Sequence, residues 1–403
     1  MRLFTALTHR PFALLWSGRA LSSLGDGVFL IALAWWVIET TGSAEANAII
    51  LICTLIPTLL LSLVGGVVVD RISRRRMLLI SDIVRGLVVG LIAFLAWNHT
   101  LAFWHLAALS VAFGAVEAFF FPAYNSILPQ MTPGEMLPSA NALTRLSGQA
   151  AGVIGPALGG VLVALGNTPL AFALDALSFF VSAGCILALP AVPVPARETA
   201  EKTSMWRDLR EGLATVLRTP WLWITIAIAG VSNITLSGPL EAALPLLVRQ
   251  SLHGAVGVYA LLNALSALGS VVAAVILGQL VKLRRRGILA YSAWLVAALA
   301  VLALGLPITV VGAGVAIFAC GAGIAVLELA WVNALQELVP PDRLGRVSSI
   351  DALGSFALLP LGYALAGLAA DRLGAAPVFM LGGAISAGLI ALGLLHPAIR
   401  RLD

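Results

Sequence analysis

Apolar residues run along this chain in twelve long blocks, separated by short polar or charged interruptions. The blocks cover residues 12–38, 47–69, 77–97, 101–127, 141–165, 169–189, 221–248, 256–281, 288–306, 308–335, 347–370 and 377–395. At 1.5 Å of rise per residue, each can cross about 30 Å of hydrocarbon as a helix. The pattern predicts an all-α membrane protein with twelve transmembrane helices. The first block begins after about ten residues, is too long for a signal-peptide core and has no small-residue cleavage site behind it. It is expected to be the first helix of the mature protein.

Charge fixes the expected orientation. Of 24 Lys and Arg, 19 fall on one side when the spans are threaded alternately, two (Arg249 and Arg372) fall opposite, and Arg19, Arg85 and Arg145 lie inside spans. Positive loops stay in the cytoplasm, so both termini are expected there. The chain is 60% apolar and 11% charged, with a mean hydropathy of +1.01. Its net charge of +5 is spread over several short turns. Retention beside anionic lipid accounts for that spread, and no nucleic-acid partner is expected.

Composition offers little chemistry of the enzymatic kind. Cys53, Cys185 and Cys320 are scattered inside spans, and the five histidines have no metal-ligand spacing. No catalytic triad order, Walker loop or dinucleotide-binding glycine pattern is present. No enzyme activity, cofactor or metal is expected.

The chain divides near its middle. Residues 1–190 hold six spans and 221–403 hold six more; the linker 191–220 starts with Pro193 and Pro195, which stiffen it. Within the linker, Trp206, Leu209, Leu213, Val216 and Leu217 recur at helical spacing among charged residues, which predicts an amphipathic helix on the cytoplasmic interface. A plain linker role is the simpler reading of that helix. The two sides repeat each other weakly: Asn125–Pro133 aligns with Asn333–Pro341, Arg10-Pro11-Phe12 with Thr219-Pro220-Trp221, and the Arg71–Arg76 cluster with Lys282–Arg286. The expectation is two pseudo-symmetric six-helix halves, an arrangement used by secondary transporters.

One loop names a family. Gly66-Val-Val-Val-Asp70-Arg71-Ile-Ser-Arg74-Arg75 follows the second span. It resembles the G-x-x-x-D-R-x-x-R-R signature of the major facilitator superfamily, which implies the fold of that family and a gating role for Gly66, Asp70, Arg71, Arg74 and Arg75. Gly66 permits close helix approach, Asp70 can accept from a helix N-terminus, and Arg71 supplies a fixed positive charge. A plain positive loop would explain the arginines but not the glycine four residues ahead of Asp-Arg. Phe12-Ala-Leu-Leu-Trp16, Leu21–Asp26, Phe121–Pro129 and Ala173–Phe179 are similar to the branch containing bacterial macrolide, tetracycline and siderophore exporters. In the fifth span, Gly152, Gly155, Pro156, Gly159 and Gly160 resemble the antiporter signature of the superfamily, though Ala151 replaces a glycine upstream. Gly148, Gly152, Gly155 and Gly159, spaced four, three and four apart, form one smooth face, so close packing without antiport is the competing reading. One departure matters: exporters of this superfamily often carry an arginine in the fourth helix, and here Glu117 is the only acidic or basic chain near its centre.

Charges inside spans are costly and so become candidates. Asp26 falls about 21 Å into the first span, near mid-membrane. Glu117 enters the fourth span from the opposite side to a similar depth. Asp26 and Glu117 are the expected proton-coupling or substrate site, because one buried acid can hold a proton or a cationic molecule but not comfortably both. The alternatives are an ion pair between Asp26 and Arg19, two turns away, and a hydrogen bond from Glu117 to a neighbouring helix. Glu241 and Glu328 are further candidates for coupling or gating. Asp175 is expected near the outer end of the sixth span, capping or facing water. Arg85 and Arg145 are candidate partners of the second-to-third span loop. Phe119, Phe120 and Phe121, with Phe29, Trp35 and Trp36, line a cavity for bulky cations or face lipid.

The resemblance implies a proton-coupled antiporter that exports a hydrophobic or amphipathic drug, antibiotic or siderophore from the bacterial inner membrane. Its expected partners are that small molecule, protons and membrane lipids, acting on a monomer. Competing readings are a lipid or lysophospholipid flippase of the same fold and a non-transporting membrane sensor.

Overall fold

Proline and polar caps set where many of the helices begin. Pro11, Pro138, Pro169, Pro220 and Pro360 stand in the opening turns of their helices, where a missing N–H costs nothing. The Asn167 side chain accepts from the Leu170 amide at 3.2 Å, and Thr309 Oγ1 accepts from Gly312 at the same distance. Gly42, with φ of +69°, ends the first helix in the left-handed conformation that glycine adopts without strain.

The computed structural model describes residues 4–69, 73–190, 205–279 and 285–403, with side chains at all of these except 63–69, 205–209 and 341–342. The first six long helices are α1 (Arg10–Thr41), α2 (Ala44–Val69), α3 (Arg74–Trp97), α4 (Phe103–Ile127), α5 (Leu137–Ala164) and α6 (Thr168–Leu187). The linker helix α7 spans Met205–Arg218. Then come α8 (Pro220–Ser232), α9 (Leu244–Gln250), α10 (Val256–Gly278), α11 (Arg286–Leu304), α12 (Val310–Leu338), α13 (Pro341–Phe356), α14 (Leu359–Leu373) and α15 (Ala375–Leu395), with a single closing turn, α16 (Pro397–Arg400). Among the described residues, twelve helical stretches are long and apolar enough to cross a membrane.

Two expected spans are not simple helices. The seventh is interrupted between α8 and α9 by two π-helical turns, Asn233–Ser237 and Pro239–Ala243. Pro239 has no N–H to give the carbonyl of Thr235, so the hydrogen-bond ladder widens on either side of it. The eleventh is divided into α13 and α14 just ahead of Pro360.

Contacts sort the chain into two units. The first comprises Met1–Gly42, Ile49–Arg197 and Ala255–Ala264; the second comprises Ser43–Ala48, Glu198–Gly254 and Leu265–Asp403. In the first, α3 packs on α4 and α6, while α1 packs on α5 and α6. In the second, α11 packs on α12 and α15, repeating the α3 arrangement. The linker helix docks on α13: Val216 is buried, Gly212 lies against Arg346 and Ile350, and Arg346 pairs with Glu211 at 2.6 Å. Leu213 and Leu217 stay exposed.

Of the glycine face expected on α5, Gly155 and Gly159 make a close helix contact. A Cβ on Gly155 would stand 2.9 Å from Cα of Gly27 and from the Leu24 carbonyl, so α1 and α5 cross with their backbones in contact. Gly159 extends that contact to Val28, whereas Gly160 faces Ala260 of α10 and Gly148 meets open space. Pro156 packs beside Gly27.

Candidate functional site

The first unit concentrates charge in its interior. Arg85 on α3 is 1% exposed, and its Nη2 donates to Asp82, one turn earlier, at 2.5 Å. Its guanidinium also lies 4.2 Å from the centroid of Phe120 and 4.5 Å from that of Phe179. The Arg19 guanidinium stands 5.0 Å from the centroid of the same ring and 5.2 Å from that of Phe121. Phe120 therefore faces both cations, and each gains from the negative face of the ring.

Asp26 joins this cluster from α1. Its carboxylate lies 3.6 Å from Arg19, too long for a strong hydrogen bond, and the Asp26 side chain is 36% exposed. The pair expected as an alternative is thus formed, but loosely and with the acid open on one side. Arg85, Glu117 and Asp175 are all within electrostatic reach of Asp26. Asp175 is fully buried, which corrects the expectation that it caps a helix or faces water. It packs under Gly25, where a Cβ would collide with Asp175 Oδ1 and Ser178 Oγ. The Ser178 hydroxyl donates to Asp175 Oδ1 at 3.3 Å, and Oδ2 has no hydrogen-bond partner among the described residues.

The cluster therefore holds four carboxyls (Asp26, Asp82, Glu117, Asp175) against two guanidiniums (Arg19, Arg85). That excess leaves room for protons or for a cationic molecule. The aromatic residues expected to line a cavity are used differently. Phe29 packs on Phe113 and Phe172, Trp35 stacks with Tyr259, and Phe120 serves the arginines of the protein itself.

Other candidates lie elsewhere. Asp70 and Arg71 fall outside the described residues, and Gly66 lies in α2 without a described environment. Arg74 opens α3, and Arg75 donates to the carbonyls of Ile186 at 3.0 Å and Leu187 at 2.6 Å, satisfying the last turn of α6. Arg85 is enclosed with Asp82 rather than free to meet a loop, and Arg145 is exposed. Gly152 lies within α5. Glu241 is in the second π turn with its side chain exposed, and Glu328 lines a cavity in the second unit.

Three acids escaped the sequence reading. Asp82 was legible as Asp82-Ile-Val-Arg85, an acid and a base one helical turn apart inside a span. Asp351 lies in the eleventh span and accepts from Trp331 Nε1 at 2.9 Å. Asp371 accepts from Ser43 Oγ at 2.5 Å and from the amides of Ala44 at 2.7 Å and Glu45 at 3.2 Å, capping the start of α2. Its signal was a second copy of a motif: Gly367-Leu-Ala-Ala-Asp371-Arg372 repeats the spacing of Gly66-Val-Val-Val-Asp70-Arg71. A Cβ on Gly367 would stand 2.8 Å from the Ala44 carbonyl, so the glycine lets α2 come close enough to be capped.

Comparison with known proteins agrees with this architecture. The sequence profile of the Major Facilitator Superfamily matches residues 15–362. Macrolide efflux protein A of Streptococcus pyogenes is 22% identical over 402 residues, which cover 97% of each chain. The multidrug efflux pump Tap of Mycobacterium bovis is 29% identical over 245 residues, which cover 58% of this chain and 57% of that pump. The match therefore spans little more than half the length of that relative. Among solved structures, a bacterial homologue of the iron transporter ferroportin in an inward-facing state has a TM-score of 0.74 at 18% identity, covering 96% of this chain and 99% of that one. The nucleoside transporter NupG has a TM-score of 0.72 at 13% identity, covering 97% and 99%. Those two likenesses concern the fold alone. Twelve membrane-long helices, the loop signature and the profile match together make this chain a multi-pass membrane protein that belongs to the major facilitator superfamily.

Proposed function

We propose that the chain is a proton-coupled antiporter in the bacterial inner membrane, exporting a hydrophobic or amphipathic small molecule. The observation that carries this reading is the excess of carboxyls over guanidiniums inside the first unit, with Asp26 only loosely paired to Arg19 at 3.6 Å. An internal carboxylate without a full counter-charge is costly in a membrane. A proton or a cationic cargo relieves that cost, and occupation by one disfavours the other. Exchange follows if the two occupy the site in turn while the halves 1–190 and 221–403, joined by the linker 191–220, alternate access. The loop from Gly66 to Arg75 then acts as a cytoplasmic gate.

Relatives named for macrolide and multidrug efflux support the direction of transport and the kind of cargo. One proton moving inward across 100 mV supplies about 2.3 kcal/mol, enough to sustain a gradient of roughly fifty-fold for a neutral cargo; in one-for-one exchange with a monovalent cation the two charges cancel, and the pH difference supplies the drive. The test is efflux of a fluorescent dye from cells expressing wild type or Asp26→Asn. Proton-driven efflux is expected to be lost in the variant, while dye still equilibrates down its own gradient. Proton-driven efflux at the wild-type rate in the variant refutes the role of Asp26.

A further inference from the structure

The second unit contains a cavity of about 250 Å³ where α8 and the π turn Asn233–Ser237 face α11, α12 and α13. Glu328, Asp351, Trp294, Trp331, Asn233 and Ser237 are in its wall. The two acids are held differently. Asp351 accepts from Trp331 Nε1 at 2.9 Å and from Ser355 Oγ at 3.3 Å, both neutral donors. Glu328 has no hydrogen-bond or ionic partner among the described residues. The remaining polar groups are tied up with one another: Ser237 donates to Asn233 Oδ1 at 3.0 Å, and Asn233 Nδ2 donates to the Ser355 carbonyl at 2.6 Å.

No guanidinium balances these carboxyls. Among the described residues, every arginine of the second unit lies within about two turns of a helix end, away from this cavity. Two acids, two indoles and no internal cation form a wall complementary to positive charge on an apolar body. The volume lies below the range usual for a whole drug-sized ligand, so it fits a headgroup with the rest of the molecule emerging. The widened backbone of Asn233–Ser237 belongs to the same wall, and π turns of this kind recur at functional sites.

We infer that this cavity binds the ammonium or guanidinium headgroup of an amphipathic organic cation, with Glu328 as the principal counter-charge, Asp351 as the second, and Trp294 and Trp331 as the aromatic walls. The inference rests on the reading of the chain as an exporter and specifies its cargo as cationic. It also separates two tasks, with protons handled in the first unit and the cationic head held in the second.

The experiment is saturation binding of radiolabelled benzyltrimethylammonium to the full-length protein in lipid nanodiscs, with no gradient applied. Glu328→Gln is expected to weaken binding at least about tenfold, the scale of one lost charge-assisted contact. The double variant Glu328→Gln/Asp351→Asn is expected to abolish binding. Glu328→Asp is expected to retain most of it, which separates loss of charge from loss of fold. Glu135→Gln, which removes an acid at an exposed turn, is expected to bind as wild type. Neopentylbenzene, the uncharged carbon analogue, is expected to compete poorly. Wild-type binding in the double variant, or competition by neopentylbenzene equal to that of the unlabelled cation, overturns the inference. Binding is read without a proton gradient, so failure here leaves the Asp26 efflux result standing, and the converse also holds.

Discussion

Both units of this chain place acids inside membrane helices, but only the first supplies internal cations to meet them. Around Phe120, Arg19 and Arg85 sit among Asp26, Asp82, Glu117 and Asp175, so the charges are mutually compensated in part before any ligand arrives. Around Trp331, Glu328 and Asp351 have only neutral donors or none. The difference has a physical meaning. A partly compensated cluster changes its charge by one with little structural cost, which suits a proton. An uncompensated pair is a standing demand for positive charge from outside, which suits a cationic cargo.

The sharpest way to break this contrast is to remove the buried cation of the first unit. Arg85→Met leaves Asp82 enclosed with its charge unpaired, and breaking a buried pair in this way costs about 3–5 kcal/mol. The expected result is a large fall in the midpoint of thermal unfolding in detergent. Adding Asp82→Asn to Arg85→Met should recover much of the loss, because position 82 then carries no unpaired charge. In the second unit, Glu328→Gln should leave the midpoint unchanged or raise it, since it removes a charge that has no partner. A loss of stability in Glu328→Gln matching that in Arg85→Met would erase the distinction between the two interiors.

How much of this was legible beforehand follows from what each feature depends on. Span number depends on runs of apolar residues, and these are set locally, so the twelve helices could be counted from the sequence. The loop signature was legible because its residues are contiguous. The acid cluster was only half legible. Asp26 and Glu117 stood out as lone charges in apolar blocks, but the closeness of Asp26 to Asp175 depends on α1 and α6 packing through Gly25, a tertiary fact. The role of Phe120 was hidden for the same reason, since it faces arginines from two other helices. The π turns of 233–243 gave one hint, Pro239, which in a membrane helix more often signals a kink.

A second contrast lies between two copies of one motif. Asp70 of the first copy lies outside the described residues, while Asp371 of the second copy caps α2 through Ser43, Ala44 and Glu45. Asp371→Ala removes a charged cap at a helix N-terminus, worth about 1–2 kcal/mol. The expected readout is local: amide hydrogen exchange at residues 44–46 accelerates about tenfold or more, in line with that energy. Asp371→Asn, whose amide oxygen still accepts, should show a smaller change. Exchange at wild-type rates in Asp371→Ala would mean that the cap carries no weight and that the repeated spacing of Gly367 and Asp371 does not serve to hold the start of α2.

The smallest expected effect concerns how Asp351 is held. Trp331→Phe keeps an aromatic wall in the cavity but deletes the indole N–H that Asp351 Oδ2 accepts from, leaving that oxygen with no donor. A neutral hydrogen bond of this kind contributes about 1 kcal/mol net, so the fall in unfolding midpoint should be a fraction of that in Arg85→Met. Ser355 still donates to the other oxygen, which limits the disturbance. The variant has a second consequence that a merely structural role for Trp331 would not produce. With Asp351 released from its donor, its carboxylate should depend more on an external cation, so benzyltrimethylammonium should protect Trp331→Phe against thermal unfolding by a larger margin than it protects wild type. Equal protection of the two proteins would show that Asp351 does not sense the ligand, and would leave Glu328 as the acid of the second unit that meets it.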